Sequence, residues 1–217
     1  MRIHVNIGKL TVKLLEKYFT IEKKNIGSYA VVKRKGVRIV TDVYTIEGIG
    51  KLCVLNIKAP LGVLKCETII ISTNKKDMPL FNADWISVFS NEMQMCEFYD
   101  VQLKPYPEEK LAEFEKIKER DCDLKEYETD AHWYDNIKYP CSYSKKSKTE
   151  TERFTDAFFA YLATFIRQLS EAGECDSGEK QGKINEFAEK IYSEGGPAVD
   201  FFKNAVGEEK AKDIILN

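Results

Sequence analysis

The feature that most constrains the fold is a series of six short runs, rich in β-branched and aromatic residues, between Gly27 and about Lys104. The breaks between the runs are short and contain Gly, Pro, Asn or Lys. Parallel strands need crossover connections of about a dozen residues, so these breaks are too short for a parallel sheet. The runs therefore predict an antiparallel meander, with strands at 29–34, 37–46, 51–59, 63–72, 83–89 and 92–103.

Helical patterns flank this strand-rich region. Apolar residues at helical spacing predict a short amphipathic helix within 7–19. After Pro105 the pattern is helical, with helices predicted at 108–121, 149–172, 184–196 and, interrupted at Gly207, 197–216. Strands followed by helices indicate the α+β class. Helix at both ends predicts a three-layer α/β/α sandwich with a central antiparallel sheet, in one domain that is strand-rich at 27–104 and helix-rich at 105–217.

The charge and hydropathy of the sequence do not favour nucleic-acid binding, a membrane span or a signal peptide. The net charge is −2, from 33 basic and 35 acidic side chains, whereas nucleic-acid binding usually leaves a strongly basic footprint. Local basic clusters at 31–38 and 143–148 are either solvated turns or a docking site for an acidic partner. No run approaches the roughly 18 apolar residues of a membrane span, and the first 20 residues do not have the pattern of a signal peptide. We therefore expect a cytoplasmic protein.

Metal and nucleophile motifs are missing from the sequence. The six cysteines form no CxxC motif and have no paired spacing with the two histidines, so we expect six free thiols and neither zinc nor an iron–sulfur cluster. The templates G-x-S-x-G, G-x-x-x-x-G-K-[ST], G-x-G-x-x-G and H-E-x-x-H do not occur either. His4 is interpreted as structural or exposed. His132, beside Trp133 and Tyr134, either lines a site or is an ordinary buried or capping histidine.

Two acidic residues interrupt runs that otherwise have the pattern of buried strands. Asp84 stands in "FNADWISV", and Glu67 stands between Cys66 and "TIII". Each carboxylate either occupies the solvated face of a half-buried strand or lies in a pocket, where burial raises its pKa. Periodicity alone leaves both readings open for both residues.

Several stretches resemble the ferredoxin-dependent bilin reductases, a family that includes the red chlorophyll catabolite reductases. "MPLFNADWISV" is similar to the family's strand entry L-P-x-F-G-x-D-hydrophobic-V, and "CEFYDVQLKP" to the strand that follows it. "FTDAFFAYLATFIRQLSEA" resembles the family's long helix, and "YSEGGPAVDFFKNAVGEEKAKDIIL" resembles its closing segment. The order is preserved over roughly residues 62 to 217.

The resemblance implies a function as well as a fold. Members of the family fold as an α/β/α sandwich with an antiparallel sheet and bind an open-chain tetrapyrrole between the sheet and the C-terminal helices. They bind no metal or flavin, and they reduce the substrate with single electrons from ferredoxin and protons from carboxyl groups. The resemblance thus implies an oxidoreductase acting on CH–CH groups, with no bound cofactor and with an external ferredoxin or flavodoxin as the electron donor. By position, Asp84 takes the role of the family's proton-donating aspartate.

Departures from the family pattern concern the partners of Asp84. Asn82 replaces the usual Gly, Glu67 stands where some members have a catalytic His, and Gly196 stands where many have a second Asp. We hypothesise that Asp84 and Glu67 form the proton relay. Arg34, Lys35 and Lys145 are candidates for holding the propionates, by charge alone, and the basic clusters would then receive acidic ferredoxin.

Two alternatives to a reductase remain open at this point. One is a tetrapyrrole-binding protein of the same fold without catalysis, which the glycine at position 196 favours. The other is a fold relative that acts on a different hydrophobic substrate.

Overall fold

The computed structural model describes residues 6–34, 36–195, 203–204 and 207–208. Within this part of the chain, nine strands form one sheet in the order β1-β3-β4-β5-β6-β7-β9-β8, and β2 pairs with β3. Every pairing is antiparallel. The strands are Ile21–Lys23 (β1), Val31–Arg34 (β2), Val37–Ile46 (β3), Gly50–Lys58 (β4), Leu64–Thr73 (β5), Leu80–Val88 (β6), Asn91–Tyr99 (β7), Lys125–Glu126 (β8) and Tyr143–Ser147 (β9).

The α-helices lie on both faces of the sheet. Those with described bounds are Ile7–Leu15 (α1), Glu108–Glu119 (α2), Thr151–Glu171 (α3) and Ser177–Glu194 (α4). On one face, Phe165 of α3 stacks 5.1 Å from Phe81, and the ring centroid of Phe114 in α2 lies 4.3 Å from that of Phe98. On the other face, Phe187 of α4 lies 5.2 Å from Tyr99. The predicted α+β class, an α/β/α sandwich with an antiparallel sheet, is confirmed.

Successive residues of a strand point to opposite faces, so the two faces have different compositions. We call them the α3 face, which α1 and α2 also cover, and the α4 face. The α3 face carries the largest core cluster, an aromatic layer that includes Phe81, Trp85, Phe98 and Phe158. The α4 face carries two smaller clusters, one around Leu80 and Tyr99 and the other around Ile39 and Ile57.

Differences from the sequence predictions occur at polar segments. The short strand β9 lies in a stretch without a recognisable period, because one of its buried side chains is the lysine Lys145. Helix α4 begins at Ser177, ahead of the predicted helix at 184–196, and the Asp176 side chain caps it by accepting from the N–H groups of Gly178 and Glu179. The predicted helices in 197–216 lie outside the described residues, apart from 203–204 and 207–208.

A buried lysine fixes α4 to the sheet. The ammonium group of Lys180 is fully buried and donates to the carbonyl oxygens of Met78 and Val101, both at 2.7 Å. Met78 precedes β6 and Val101 follows β7, so the first turns of α4 are held at one end of this strand pair.

Candidate functional site

Asp84 lies in the middle of β6, on the α4 face. The register pairs it with Thr68 of β5 on one side and with Met95 of β7 on the other. Its chain neighbours Ala83 and Trp85 are buried in the α3 core. The alternation of the strand therefore turns the carboxyl group away from the aromatic layer.

Two side-chain donors hold the Asp84 carboxyl group. The Thr68 hydroxyl donates to Oδ1, and the Asn82 amide donates to Oδ2 at 2.8 Å. Burial raises the pKa of Asp84 to about 6, although both hydrogen bonds act to lower it, and the negative charge of Glu97 raises it further. A carboxyl group with this pKa exchanges its proton near neutral pH, as a general acid must.

A second acid, Glu97, lies on the same face. It is opposite Asn82 in the register, and it is buried. The Tyr99 hydroxyl donates to its Oε2 at 2.7 Å, and the Lys138 ammonium lies 3.4 Å from its Oε1. Lys138 also forms an ion pair at 2.7 Å with Asp135. Glu97 is thus a fixed charge beside the donor pair that holds Asp84.

His132 is connected to this face through aromatic rings. Its ring stacks 4.9 Å from that of Tyr134, which in turn meets Tyr99 edge-on at 5.7 Å. The backbone N–H of His132 donates to Asp135 at 2.8 Å, at the start of a 3-10 turn. The structure therefore brings the predicted His132 segment to the edge of the Glu97 network, with Tyr134 between the histidine and the sheet.

Glu67 lies on the opposite face from Asp84. The register pairs it with Trp85, which belongs to the α3 core, and its Oε2 accepts from the N–H of Ile7 at 2.8 Å. Burial raises the pKa of Glu67, while the N–H groups of Gly8 and Ile7 at the start of α1 oppose the shift. A negative charge at a helix N-terminus is favourable. The predicted pairing is therefore corrected, since Glu67 caps α1 and does not face Asp84.

Of the three predicted propionate-binding cations, Lys145 has a described side chain, whereas Lys35 and the side chain of Arg34 lie outside the described residues. Lys145 pairs in register with Gln94, which is opposite Trp85, so it belongs to the α3 face. Its ammonium group is buried and contacts Glu126 at 2.5 Å and the Leu124 carbonyl at 3.3 Å. This corrects the prediction that Lys145 holds a propionate of the ligand. Arg34 ends β2, where its backbone pairs with Val37, and its side chain is outside the described part of the structure.

Glu97 is the residue that the sequence analysis missed. The signal was available in the tight turn between β6 and β7, where Val88 pairs with Asn91. Counting back from this turn places Asn82 opposite Glu97 and Asp84 opposite Met95. A sequence offset points to Glu67 instead, because it ignores the hairpin register that places β7 beside β6.

Two features were not found in the described residues. No three His, Cys, Asp or Glu side chains there are placed to hold a metal ion. No helix in the same part of the chain has both the length and the apolar character to cross a membrane.

Comparison with known proteins yields a structural match only. No protein-family model matches the sequence, and no curated protein matches it. The fold is similar to that in the crystal structure of phytochromobilin synthase from tomato in complex with biliverdin, with a TM-score of 0.75. The match covers 96% of this chain and 79% of that chain, at 10% sequence identity. At this identity the likeness shows a shared fold.

Proposed function

We propose that the protein binds an open-chain tetrapyrrole against the α4 face and reduces it, with Asp84 as proton donor and an external reduced ferredoxin or flavodoxin as electron donor. The observation that carries this proposal is the Asp84 carboxyl group, held by Thr68 and Asn82 with a pKa raised to about 6. The fold likeness to a synthase crystallised with biliverdin supports the choice of ligand class.

The chemistry requires a balance of electrons and protons. Reduction of one double bond takes two electrons and two protons, and a one-electron donor must act twice. Each added electron makes the oxygens and methine carbons of a bilin more basic, so a carboxyl group poised near neutrality can protonate it. After Asp84 gives up its proton, the hydrogen bonds from Thr68 and Asn82 stabilise the carboxylate that remains. Solvent then reprotonates Asp84, which delivers the second proton after the second electron.

Glu97 replaces Glu67 as the second acid in this proposal. Its position opposite Asn82 puts its charge close enough to raise the pKa of Asp84. Glu97 would thereby increase the fraction of Asp84 that carries a proton near neutral pH. Tyr134 and His132 form an aromatic stack at the edge of this face, and such planar side chains pack well against a flat conjugated ligand. Arg34 remains a proposed partner for a propionate.

The test is a two-step absorption experiment. Biliverdin is first added to the purified protein, and a shift of its long-wavelength band is expected on binding. Reduced ferredoxin is then added without oxygen, and bleaching or a further shift is expected with the wild-type protein. Asp84→Asn should bind biliverdin and lose at least about 100-fold in reduction rate, within the usual contribution of a general acid.

Glu67→Gln is the matched control, because it removes a strand carboxylate from the opposite face. Its reduction rate should stay within about twofold of wild type. Reduction by Asp84→Asn at the wild-type rate would overturn the assignment of the proton donor, and absence of any biliverdin shift would overturn the ligand class.

A second candidate function is bilin binding without reduction. It is favoured by Gly196, which stands where the resembling family often carries a second aspartate. The same experiment separates the two functions, since a binding protein would give the first spectral shift and no change on addition of reduced ferredoxin.

A further inference from the structure

A separate groove of about 520 Å³ opens on the α4 face, at the end of the sheet formed by the turn between β3 and β4. Residues of α4, among them Gln181 and Asn185, form its other wall. The volume is in the range of small-molecule sites, about 300–1,000 Å³. We call it the lysine groove, because Lys24, Lys51 and Lys75 all line it.

The lysine groove is distinct from the Asp84 site. Lys51 pairs with Ser72, four residues along β5 from the Thr68 that holds Asp84. At a rise of roughly 3.3 Å per residue this is a separation of about 13 Å. Between them, Ile70 packs against the cluster that contains Ile184 of α4. Ligand binding in the lysine groove would therefore not depend on the proposed bilin chemistry.

The charges in the lysine groove have no acidic counterpart in the described part of the chain. Among the residues described there, the lining includes three ammonium groups and no Asp or Glu. None of the three forms an ion pair or a side-chain hydrogen bond with a described residue, whereas the neighbouring Lys23 pairs with Asp42 at 2.6 Å. Lys51 is partly buried, and both desolvation and the charge of Lys24 lower its pKa. An anion in the groove would relieve this repulsion.

Neutral donors complete the wall. The Asn74 amide donates to Gln181 at 3.0 Å, and the Gln181 amide donates to the carbonyl oxygen of Asn185 at 2.8 Å. These two hydrogen bonds fix the orientation of the Asn185 side chain and leave its NH₂ group without a partner among the described residues. The buried Ser72 hydroxyl lies at the same end of the sheet. Lysines with amide and hydroxyl donors form a set suited to tetrahedral oxyanions.

We propose that the lysine groove binds a phosphate group, either as inorganic phosphate or as part of a small phosphate monoester. A phosphate dianion accepts hydrogen bonds on all its oxygens, and its charge offsets most of the three ammonium charges. The concave shape and small volume fit a metabolite-sized ligand.

The experiment is a calorimetric titration of the full-length protein with inorganic phosphate and, separately, with glycerol 2-phosphate at constant ionic strength. Tighter binding of the monoester would identify an ester as the source of the phosphoryl group, and tighter binding of inorganic phosphate would identify the free ion. Lys51→Gln should weaken binding at least about tenfold, the loss of one charge-assisted contact. Lys75→Gln, at the exposed rim, should weaken it less and cannot disturb the core.

Lys33→Gln is the matched control, because Lys33 is an exposed lysine of β2 and does not line the groove. It should bind phosphate within about twofold of wild type. Equal losses of phosphate affinity in Lys33→Gln and Lys51→Gln would show that only the overall charge matters, and this would overturn the proposal. The absence of binding at tens of millimolar phosphate would also overturn it. Displacement of bound biliverdin by phosphate would make the groove part of the bilin site and overturn it as a separate site.

Discussion

The two faces of the sheet hold their strand carboxyl groups in different ways. On the α3 face, Glu67 accepts a backbone N–H at the start of α1 and pairs in register with Trp85 of the aromatic core. On the α4 face, Asp84 is held by the side chains of Thr68 and Asn82, and the apolar clusters there are smaller. The Glu67 carboxyl group satisfies a backbone donor at a helix start, whereas Asp84, held by neighbouring side chains, is the proposed proton donor.

The largest expected effect tests which face supplies the stability. Phe165 is fully buried against Phe81 and Phe98, so Phe165→Ala should lower the free energy of unfolding by about 3–5 kcal/mol. Ile86 is partly exposed on the α4 face, so Ile86→Ala should lower the free energy of unfolding by only about 1 kcal/mol. Denaturant titration of both variants measures the difference, and equal losses would contradict the division between the faces.

The next effect concerns Glu67, which accepts a backbone N–H at the start of α1. Glu67→Ala removes the acceptor of the Ile7 N–H and leaves a buried donor unsatisfied, which should destabilise the protein by about 2 kcal/mol. Glu47→Ala, at an exposed turn, should change stability by no more than about 0.5 kcal/mol. Chemical denaturation followed by circular dichroism makes the comparison. A loss as small as that of Glu47→Ala would show that Glu67 does not anchor α1.

Asp84 should affect stability in a way that depends on pH. Its folded-state pKa is raised from 3.8 to about 6, so the folded state binds more protons than the unfolded state between these values. Stability therefore falls as pH rises through this window and stays lower above it. Asp84→Asn removes that penalty but keeps only one carbonyl acceptor, so we expect a gain of about 1–2 kcal/mol at pH 8. The gain should disappear below about pH 4, and a gain that is independent of pH would contradict the assignment.

The smallest effect tests the coupling between the two acids of the α4 face. The charge of Glu97 raises the pKa of Asp84, so Glu97→Gln should lower that pKa. Carbon NMR of the Asp84 carboxyl group as a function of pH measures the shift. The matched control is Glu92→Gln on the same strand, because Glu92 accepts from Thr151 of α3 on the other face. A change of similar size in the pKa of Asp84 in both variants would show that Glu97 has no specific effect on Asp84.

The main strands and the position of Asp84 were predictable because their signals are local. β3 matches its predicted bounds, since β-branched residues and short glycine-containing turns determine it within one segment. The face of Asp84 was not predictable, because both of its neighbours are compatible with either orientation until the strand order is known. The pairing with Glu67 failed for the same reason, since a sequence offset does not say which face a residue occupies.

The segments that were mispredicted depend on tertiary contacts. The start of α4 reads as a polar loop because Lys180, which anchors it, is a buried lysine stabilised by two carbonyl groups from distant turns. β9 was missed because Lys145 is buried beside Glu126 of the adjacent strand β8. In both cases a charged side chain is inside the protein only because a distant part of the chain supplies its partner.

The register of β5 against β6 limits how this protein can change during evolution. Glu67 and Thr68 are consecutive residues, and each has a separate task on its own face. Deletion of one residue within β5 would turn every side chain on one side of the deletion to the opposite face. Glu67 or Thr68 would then lose its partner, so insertions and deletions should accumulate in the turns, while β5 keeps its length among homologues that retain both tasks.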